Sequence, residues 1–399
     1  MKKEINVTER QRPTLDGGSY DVVVVGGGVA GISAALAARR SGSSVLLLER
    51  EYSLGGLATL GLVTIYLPIC DGLGHQVSYS IAEELLRLSV SVGYESKYPK
   101  PWLEGGSDEE KRKTRFQVRY NAAAFALLCE ELLLKEGVKI LYGSHVCAAS
   151  VTDGKIEAVI AEGVDGKTAY FGSSFVDASG DAILAQAAGE ETVTYSPNVN
   201  AAWYYYVDEG KNDLKMLGYS ENPANRDENK KRYAVCDTEA VSEFMTDGHA
   251  AILNVIREMG VTKEKEITAI SGIPQYRMTR RIASLRDCSF DDDKKYIEDS
   301  VGVFSSWYER GPVYELPFRA LCGKNISNMY AAGRIIGADD RAWYNTRVIP
   351  ICAVSGEAAG RAASMLAKEG SVEIEKLRSA LRSAGVRLHV SEVLDAAEG

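Results

Sequence analysis

The sequence predicts an α/β protein in which a Rossmann-like domain, discontinuous along the chain, wraps around an inserted α+β domain. Three observations carry this expectation. A strand, a glycine turn and a helix follow one another in "YDVVVVGGGVAGISAALAARRSG", and a strand, a glycine and a long helix return after residue 328. A third is the change of texture between them, where aromatic and charged stretches replace the small apolar residues.

Each element has its own signal. "DVVVV" is short and wholly apolar, as a strand buried on both faces must be; "AGISAALAARRSG" is a helix ending at a glycine, and "SVLLLE" is a second buried strand. Together they form a βαβ unit of a parallel sheet. A helical pattern returns in "HQVSYSIAEELLRLSV", and the proline-, glycine- and charge-rich "YPKPWLEGGSDEEKRKT" is expected to be an exposed loop. "NAAAFALLCEELLLKEG" is an apolar helix. Residues 138–181 are successive strands with hairpin signals at Asp153-Gly154 and Asp165-Gly166. "AAWYYYV" is a strand of aromatics, and the polar "DEGKNDLKMLGYSENPANRDENKKRYAV" is expected to be a loop or surface excursion. Residues 237–260 are helical, "NMYAAG" is a strand, "PICAVSGEAAGRAASMLAKEG" a helix, and "VEIEKLRSALRSAGVRL" an amphipathic closing helix. The expected boundaries are 20–195 and 326–370 for the two parts of the nucleotide domain, 196–325 for the inserted substrate or cap domain, and 371–399 for the C-terminal helix and tail.

Composition narrows the function. A net charge of −9 argues against a nucleic-acid partner, which needs a basic stripe to neutralise phosphates. The start "MKKEINVTERQRPTLDGGS" has no apolar signal region and no later run is long enough to span a bilayer, so a soluble, cytoplasmic protein with no membrane partner is expected. Seven scattered cysteines without C-x-x-C and four isolated histidines predict reduced thiols and no metal.

Gly26, Gly28 and Gly31 give G-x-G-x-x-G, enclosing Val29 and Ala30, directly after a strand and at a helix start. Such a turn lets backbone N–H groups approach a pyrophosphate at the helix N-terminus. Glu49, followed by Arg50, closes the second strand about twenty residues on, where a carboxylate accepts ribose hydroxyls. This fingerprint leaves NAD and FAD both open.

Further segments resemble a known family. "LGGLATLG" (54–61) resembles the second glycine motif of glutathione-reductase-type two-dinucleotide flavoproteins, "FVDASGD" (175–181) their alanine-threonine-glycine segment, "NMYAAGRIIGADD" (328–340) their late strand, and "RVIPICAVSGEAAG" (347–360) their last helix. Their order, with "RFQVRYNAAAFALLCEELLLKEGVKILYG" and "YELPFRAL" between, is similar to that of the bacterial FAD-dependent oxidoreductases of that superfamily. The resemblance implies bound FAD, expected to be non-covalent. It implies cofactor contacts at Gly55, Gly56, Leu57, Ala58 and Thr59, at Val146, at Ala178, Ser179, Gly180 and Asp181, at Gly333 and Arg334, and at Arg347, Val348 and Ile349, where a helix N-terminus faces the flavin pyrimidine. The chain departs from the family in "RAWYNTR", where Trp343 and Tyr344 replace a common histidine. There is no second G-x-G-x-x-G for a nicotinamide domain, so the electron partner is the substrate itself or a molecule that docks transiently.

The expected activity is hydride transfer between a small polar substrate, anionic or polyhydroxylated, and FAD. A redox-neutral flavin-dependent modification or rearrangement and an NAD-dependent enzyme are the alternatives. In "GIPQYRMTRRIASLRD", Arg277, Arg280 and Arg281 cluster, and alternation along an extended segment would put Arg277 and Arg281 on one face as a carboxylate fork; surface pairing with "DDD" (291–293) is the bland reading. His75, after the loop "GLVTIYLPICDGLG", is a candidate general base or simply a polar residue at a helix N-terminus. Cys70 reads as a small buried side chain, and Tyr344 as a pocket residue. Trp203 to Tyr206 read as a packed strand before a substrate wall. No motif specifies the substrate, the direction of reaction or the oligomeric state.

Overall fold

The computed structural model describes residues 13–94, 97–221, 226–260 and 262–394. Its main sheet has the spatial order Lys139–Leu141, Val45–Leu48, Leu15–Val25, Gly166–Asp177, Lys155–Gly163, His145–Thr152. The first four run parallel, with Val22 opposite Val45 and Val25 opposite Asp177. The free edge of Gly166–Asp177 is shared. Lys155–Gly163 pairs antiparallel with its first half, and the late strand Met329–Ala331 pairs parallel with its end, Ala331 opposite Asp177. Strand order therefore reverses between Leu15–Val25 and Gly166–Asp177, and the crevice beyond their carboxyl ends is where an open α/β sheet takes a ligand.

Val22 to Val25 and Val45 to Leu48 are buried, as continuous apolar runs in a sheet covered on both faces should be. The helix Val29–Arg40 covers one face, and the helix Ile349–Glu369 crosses it. The crossing is close because it is built on glycine: a Cβ at Gly356 would lie 2.2 Å from the Ala30 carbonyl, and one at Gly360 2.2 Å from that of Ala34. The Ser43 and Ser364 hydroxyls share a buried hydrogen bond of 2.7 Å beside it. Two segments at opposite ends of the chain thus form one layer.

The inserted region is an antiparallel sheet, Lys211–Gly218, Ala201–Asp208, Lys265–Ile270, with the helix Thr238–Met259 against one face. Its aromatic strand obeys period two. Ala202, Tyr204 and Tyr206 pack with Ile252 on that helix, while Trp203 and Tyr205 turn to Leu62, and the Tyr205 hydroxyl meets that of Thr64 at 2.5 Å.

Three expectations need correction. The first strand begins at Leu15, with a register shift between Asp16 and Ser19, so pairing starts before the apolar run. The expected loop around residue 100 holds the helices Lys100–Leu103 and Asp108–Lys113; Ser107 and Glu110 cap the second reciprocally, which outweighs its lack of apolar residues. Part of the polar excursion is the strand Lys211–Gly218, joined to its neighbour through Glu209 and Gly210 with φ of 50° and 77°, a two-residue turn whose twist suits a hairpin. Residues 222–225 of that excursion lie outside the described residues, as do 395–399 of the tail. Among the described residues no helix is long and apolar enough to cross a membrane.

Candidate FAD site

The three glycines of the opening turn do different work. Gly26 has φ +100°, and a Cβ there would sit 2.5 Å from the Ala178 carbonyl oxygen, so this residue lets the two strand ends approach. A Cβ at Gly31 would lie 1.8 Å from the Gly26 carbonyl, so this one seats the helix on its strand. Gly28, the N-cap residue, has an ordinary φ of −68° and no heavy atom within 4 Å of a Cβ. Nothing in the chain requires glycine there; its bare face lines the cavity and leaves room for a dinucleotide backbone.

Glu49 fastens this turn. Its Oε2 accepts the Gly27 N–H at 2.5 Å and its Oε1 the Glu51 N–H at 2.8 Å. Burial pushes its carboxyl above the ordinary value despite those bonds, and each oxygen keeps a lone pair for a ribose hydroxyl. The second glycine motif meets the first directly: Gly55 donates to the Gly27 carbonyl at 2.8 Å, with Gly55 and Gly56 both at positive φ. Leu57 and Ala58 complete a short turn, after which the Thr59 hydroxyl donates to Leu54 at 2.5 Å.

The turn after Asp177 forms the opposite wall. Buried Asp177 accepts the N–H groups of Ser179 and Ala185 at 3.0 and 2.9 Å, and the Ser179 hydroxyl accepts that of Ile183. Asp181 gathers cations: Arg334 at 2.8 Å and Arg50 at 3.8 Å, with the Thr279 hydroxyl at 2.7 Å. Burial would raise its pKa, but Arg334, Thr279 and Arg50 outweigh burial and hold it below the ordinary range. Arg334 also donates to the Gly180 carbonyl at 2.5 Å and Arg280 to that of Asp181 at 2.9 Å. Gly333 donates to Ser355 on the last long helix, tying the late strand to it.

These walls enclose a cavity of about 520 Å³. Of the residues expected to contact cofactor, Gly26, Gly28, Glu49, Arg50, Gly56, Leu57, Val146, Ala178, Ser179, Gly180, Asp181 and Arg334 line it. Val29, Ala30 and Gly31 lie in the helix beneath, and Gly55, Ala58, Thr59 and Gly333 support the turns. Arg347 and Val348 lead into the helix beginning at Ile349, whose first turn has a proline and no side-chain cap. Such an end stabilises negative charge.

The substrate candidates are dispersed. The strand there spans only Arg280–Ile282, so alternation does not extend back to Arg277 and the expected Arg277/Arg281 face does not form. Arg281 pairs with Asp287 at 3.0 Å and lies over Trp343. Arg277 lies over Trp203, 4.8 Å from its centroid, and neither arginine pairs with residues 291–293. His75 binds Asp71 at 2.7 Å in a loop and does not line the cavity; the nearest following helix starts only at Ile81, so it is not a helix N-terminal residue either. Cys70 is buried, and burial raises its thiol pKa. Tyr344 is buried beneath Arg347.

Sequence reasoning missed Ser144, Tyr276, Thr279 and Arg280 in the lining. The last three stood in the arginine segment already singled out, and Arg280 begins a short strand that pairs with Thr192–Thr194. Among the described residues no cluster of ligating side chains could hold a metal ion.

The model of a family described as FAD dependent oxidoreductase matches residues 21–202 and 249–381. A thioredoxin reductase of Ureaplasma parvum serovar 3 is 39% identical over 77 residues, 19% of this chain and 25% of that protein, so the match spans a quarter of that relative. Two solved structures align more broadly at low identity. A geranylgeranyl bacteriochlorophyll reductase-like protein of Thermoplasma acidophilum does so over 93% of this chain and 85% of its own, with 14% identity and a TM-score of 0.48. A p-nitrophenol 4-monooxygenase of Pseudomonas putida does so over 91% and 84%, with 13% identity and a TM-score of 0.48.

Proposed function

Taking as premise that the chain belongs to the FAD dependent oxidoreductase family, we propose that it moves a hydride between a small polar organic substrate and non-covalently held FAD. The cofactor is FAD and the protein is an oxidoreductase, as the family is. The observation that supports the reading most is the bare face of Gly28, opening on a cavity between two glycine turns that the fold itself brings together. Gly26, Gly28 and the turn at Ala178 to Asp181 would hold the pyrophosphate, Glu49 the ribose, and the start of the helix at Ile349 the pyrimidine end. FAD, when bound, supplies a two-electron acceptor or donor for hydride.

The protein's own part is to bind, orient and screen. Asp181 neutralises Arg334 at the cavity wall, the uncapped helix end favours negative charge, and the aromatic residues around Tyr344 keep water from that end. Burial raises the thiol pKa of Cys236, which lines the cavity, as it does those of Cys70, Cys288 and Cys352, the last to about 12, and this supports non-covalent binding. We place the protein in the cytoplasm, a reading that its seven free cysteines support.

The test is anaerobic mixing of the oxidised protein with panels of carboxylates, sugars and polyols, read as loss of flavin absorbance. Bleaching by one class, with flavin released on acid precipitation, is expected. Flavin that no organic substrate bleaches, but that is reduced by a nicotinamide nucleotide and then inserts oxygen into a substrate, would overturn it.

A further inference from the structure

We propose that Arg280, on the segment leading out of the inserted sheet, is the counter-ion of the FAD diphosphate. This rests on the placement of FAD in the cavity and is independent of the substrate and of the direction of hydride transfer.

The short strand Arg280–Ile282 sends its two arginines to opposite sides. Arg281 turns to Asp287 and Trp343 and does not line the cavity, whereas Arg280 does. Arg280 is only 7% exposed, and its Nε donates to the Asp181 carbonyl at 2.9 Å. Its Nη groups bond no protein atom among the described residues, yet they are not sealed in as the Nε of Arg281 is, so their open side is the cavity.

The other cations of the lining are already matched. Arg334 pairs with Asp181 at 2.8 Å and Arg50 with Glu51 at 3.2 Å. Asp181 offers Arg280 only its carbonyl, because its carboxylate takes Arg334 and Thr279. Asp177 feels the Arg280 charge, but its oxygens accept the N–H groups of Ser179 and Ala185 and it is not in ion-pair contact. One guanidinium, which stays charged at any pH the fold meets, is left without a counter-ion. Burying a lone charge is costly, and a fold keeps it where an anion completes the pair.

Position selects the diphosphate among anions. Arg334 and Arg280 hold successive carbonyls, those of Gly180 and Asp181, in the turn whose Ala178 carbonyl approaches Gly26 so closely that a Cβ there would lie 2.5 Å away. Gly28 lines the same cavity at the N-cap of the helix Val29–Arg40. That helix end brings N–H groups but only about half a positive charge, against a negative charge on each phosphate. Arg280 adds a full charge, and its two Nη groups match a pair of phosphate oxygens.

The full chain, freed of FAD, is titrated calorimetrically with FAD, ADP and adenosine, as wild type, Arg280→Met and Arg280→Lys. We expect Arg280→Met to weaken ADP and FAD at least about tenfold and to leave adenosine unchanged, because a charged contact to phosphate is lost and the nucleoside contacts are not. The difference shrinks as salt rises. Adenosine binding reports that a variant has folded; if Arg280→Met does not fold, Arg280→Lys carries the comparison, with a smaller loss because it keeps the charge without the fork. ADP and FAD affinities that neither variant changes overturn the proposal, as does an equal loss for adenosine, which makes Arg280 a structural residue. A substrate carboxylate is the other anion this guanidinium fits, so FAD-loaded protein is also titrated with acetate and benzoate. Carboxylate binding lost in Arg280→Met with FAD affinity intact overturns the proposal and leaves FAD where it is. Wild-type protein that binds ADP no more tightly than adenosine overturns the placement of FAD itself, and this proposal with it.

Discussion

At the Asp181 end of the cavity Arg334 is bonded to a carboxylate and a carbonyl, Arg280 to a carbonyl, and Arg50 stands close by. Outside the cavity lining, Arg277 rests on the Trp203 ring and Arg347 on the Tyr344 ring, with no acid in ion-pair contact among the described residues. The first set of arginines is paired within the fold through Asp181; the second is not. Stability should therefore respond differently to the same kind of substitution in the two sets.

The sharpest way to break this comparison lies in the glycines. Gly31→Val should cost about 3 kcal/mol or more, because its Cβ would overlap the Gly26 carbonyl, and thermal unfolding or loss of soluble protein would show it. Next, Arg334→Met and Asp181→Asn should each cost about 2 kcal/mol in denaturant unfolding, since each leaves a partly buried partner behind. The sign with pH follows from Asp181: its folded pKa is below its unfolded value, so its contribution is full above about 4 and is lost as pH falls through the folded value. Asp181→Asn should flatten that acid limb.

Gly28→Ala should leave stability within about 0.5 kcal/mol, because its Cβ meets no protein atom, yet weaken FAD binding about tenfold. Equal losses of stability at Gly28 and Gly31 would erase the distinction between a glycine kept for the fold and one kept for the ligand. The smallest effect is expected of Arg277→Met: ligand-free stability unchanged or raised by up to about 1 kcal/mol, against the fall for Arg334→Met. A fall of the same size at both arginines would show that Arg277 is paired after all.

The glycine turn and its acid were legible in the sequence because each part answers a local demand. Gly26 needs a positive φ, Val22 to Val25 need burial on two faces, and Glu49 must end a strand; each leaves a mark readable within thirty residues. Nothing local marks the place of Arg277. It and Trp203 are seventy-four residues apart, and only the fold makes them neighbours. Arg281 pairs with Asp287 only six residues on, in the turn after its short strand, so sequence spacing chose the wrong partner for Arg277. The helix Asp108–Lys113, by contrast, did leave a sign in its serine and third following acid, which charge-rich composition masked.

The helix crossing at Gly356 and Gly360 also bears on synthesis. More than three hundred residues separate Arg40 from Ile349, so a ribosome releases the opening strand and helix long before their covering layer exists. Until then the small-residue face of Ala30 and Ala34 stays bare in the nascent polypeptide, a surface for chaperones to guard and for early stop codons to leave permanently open.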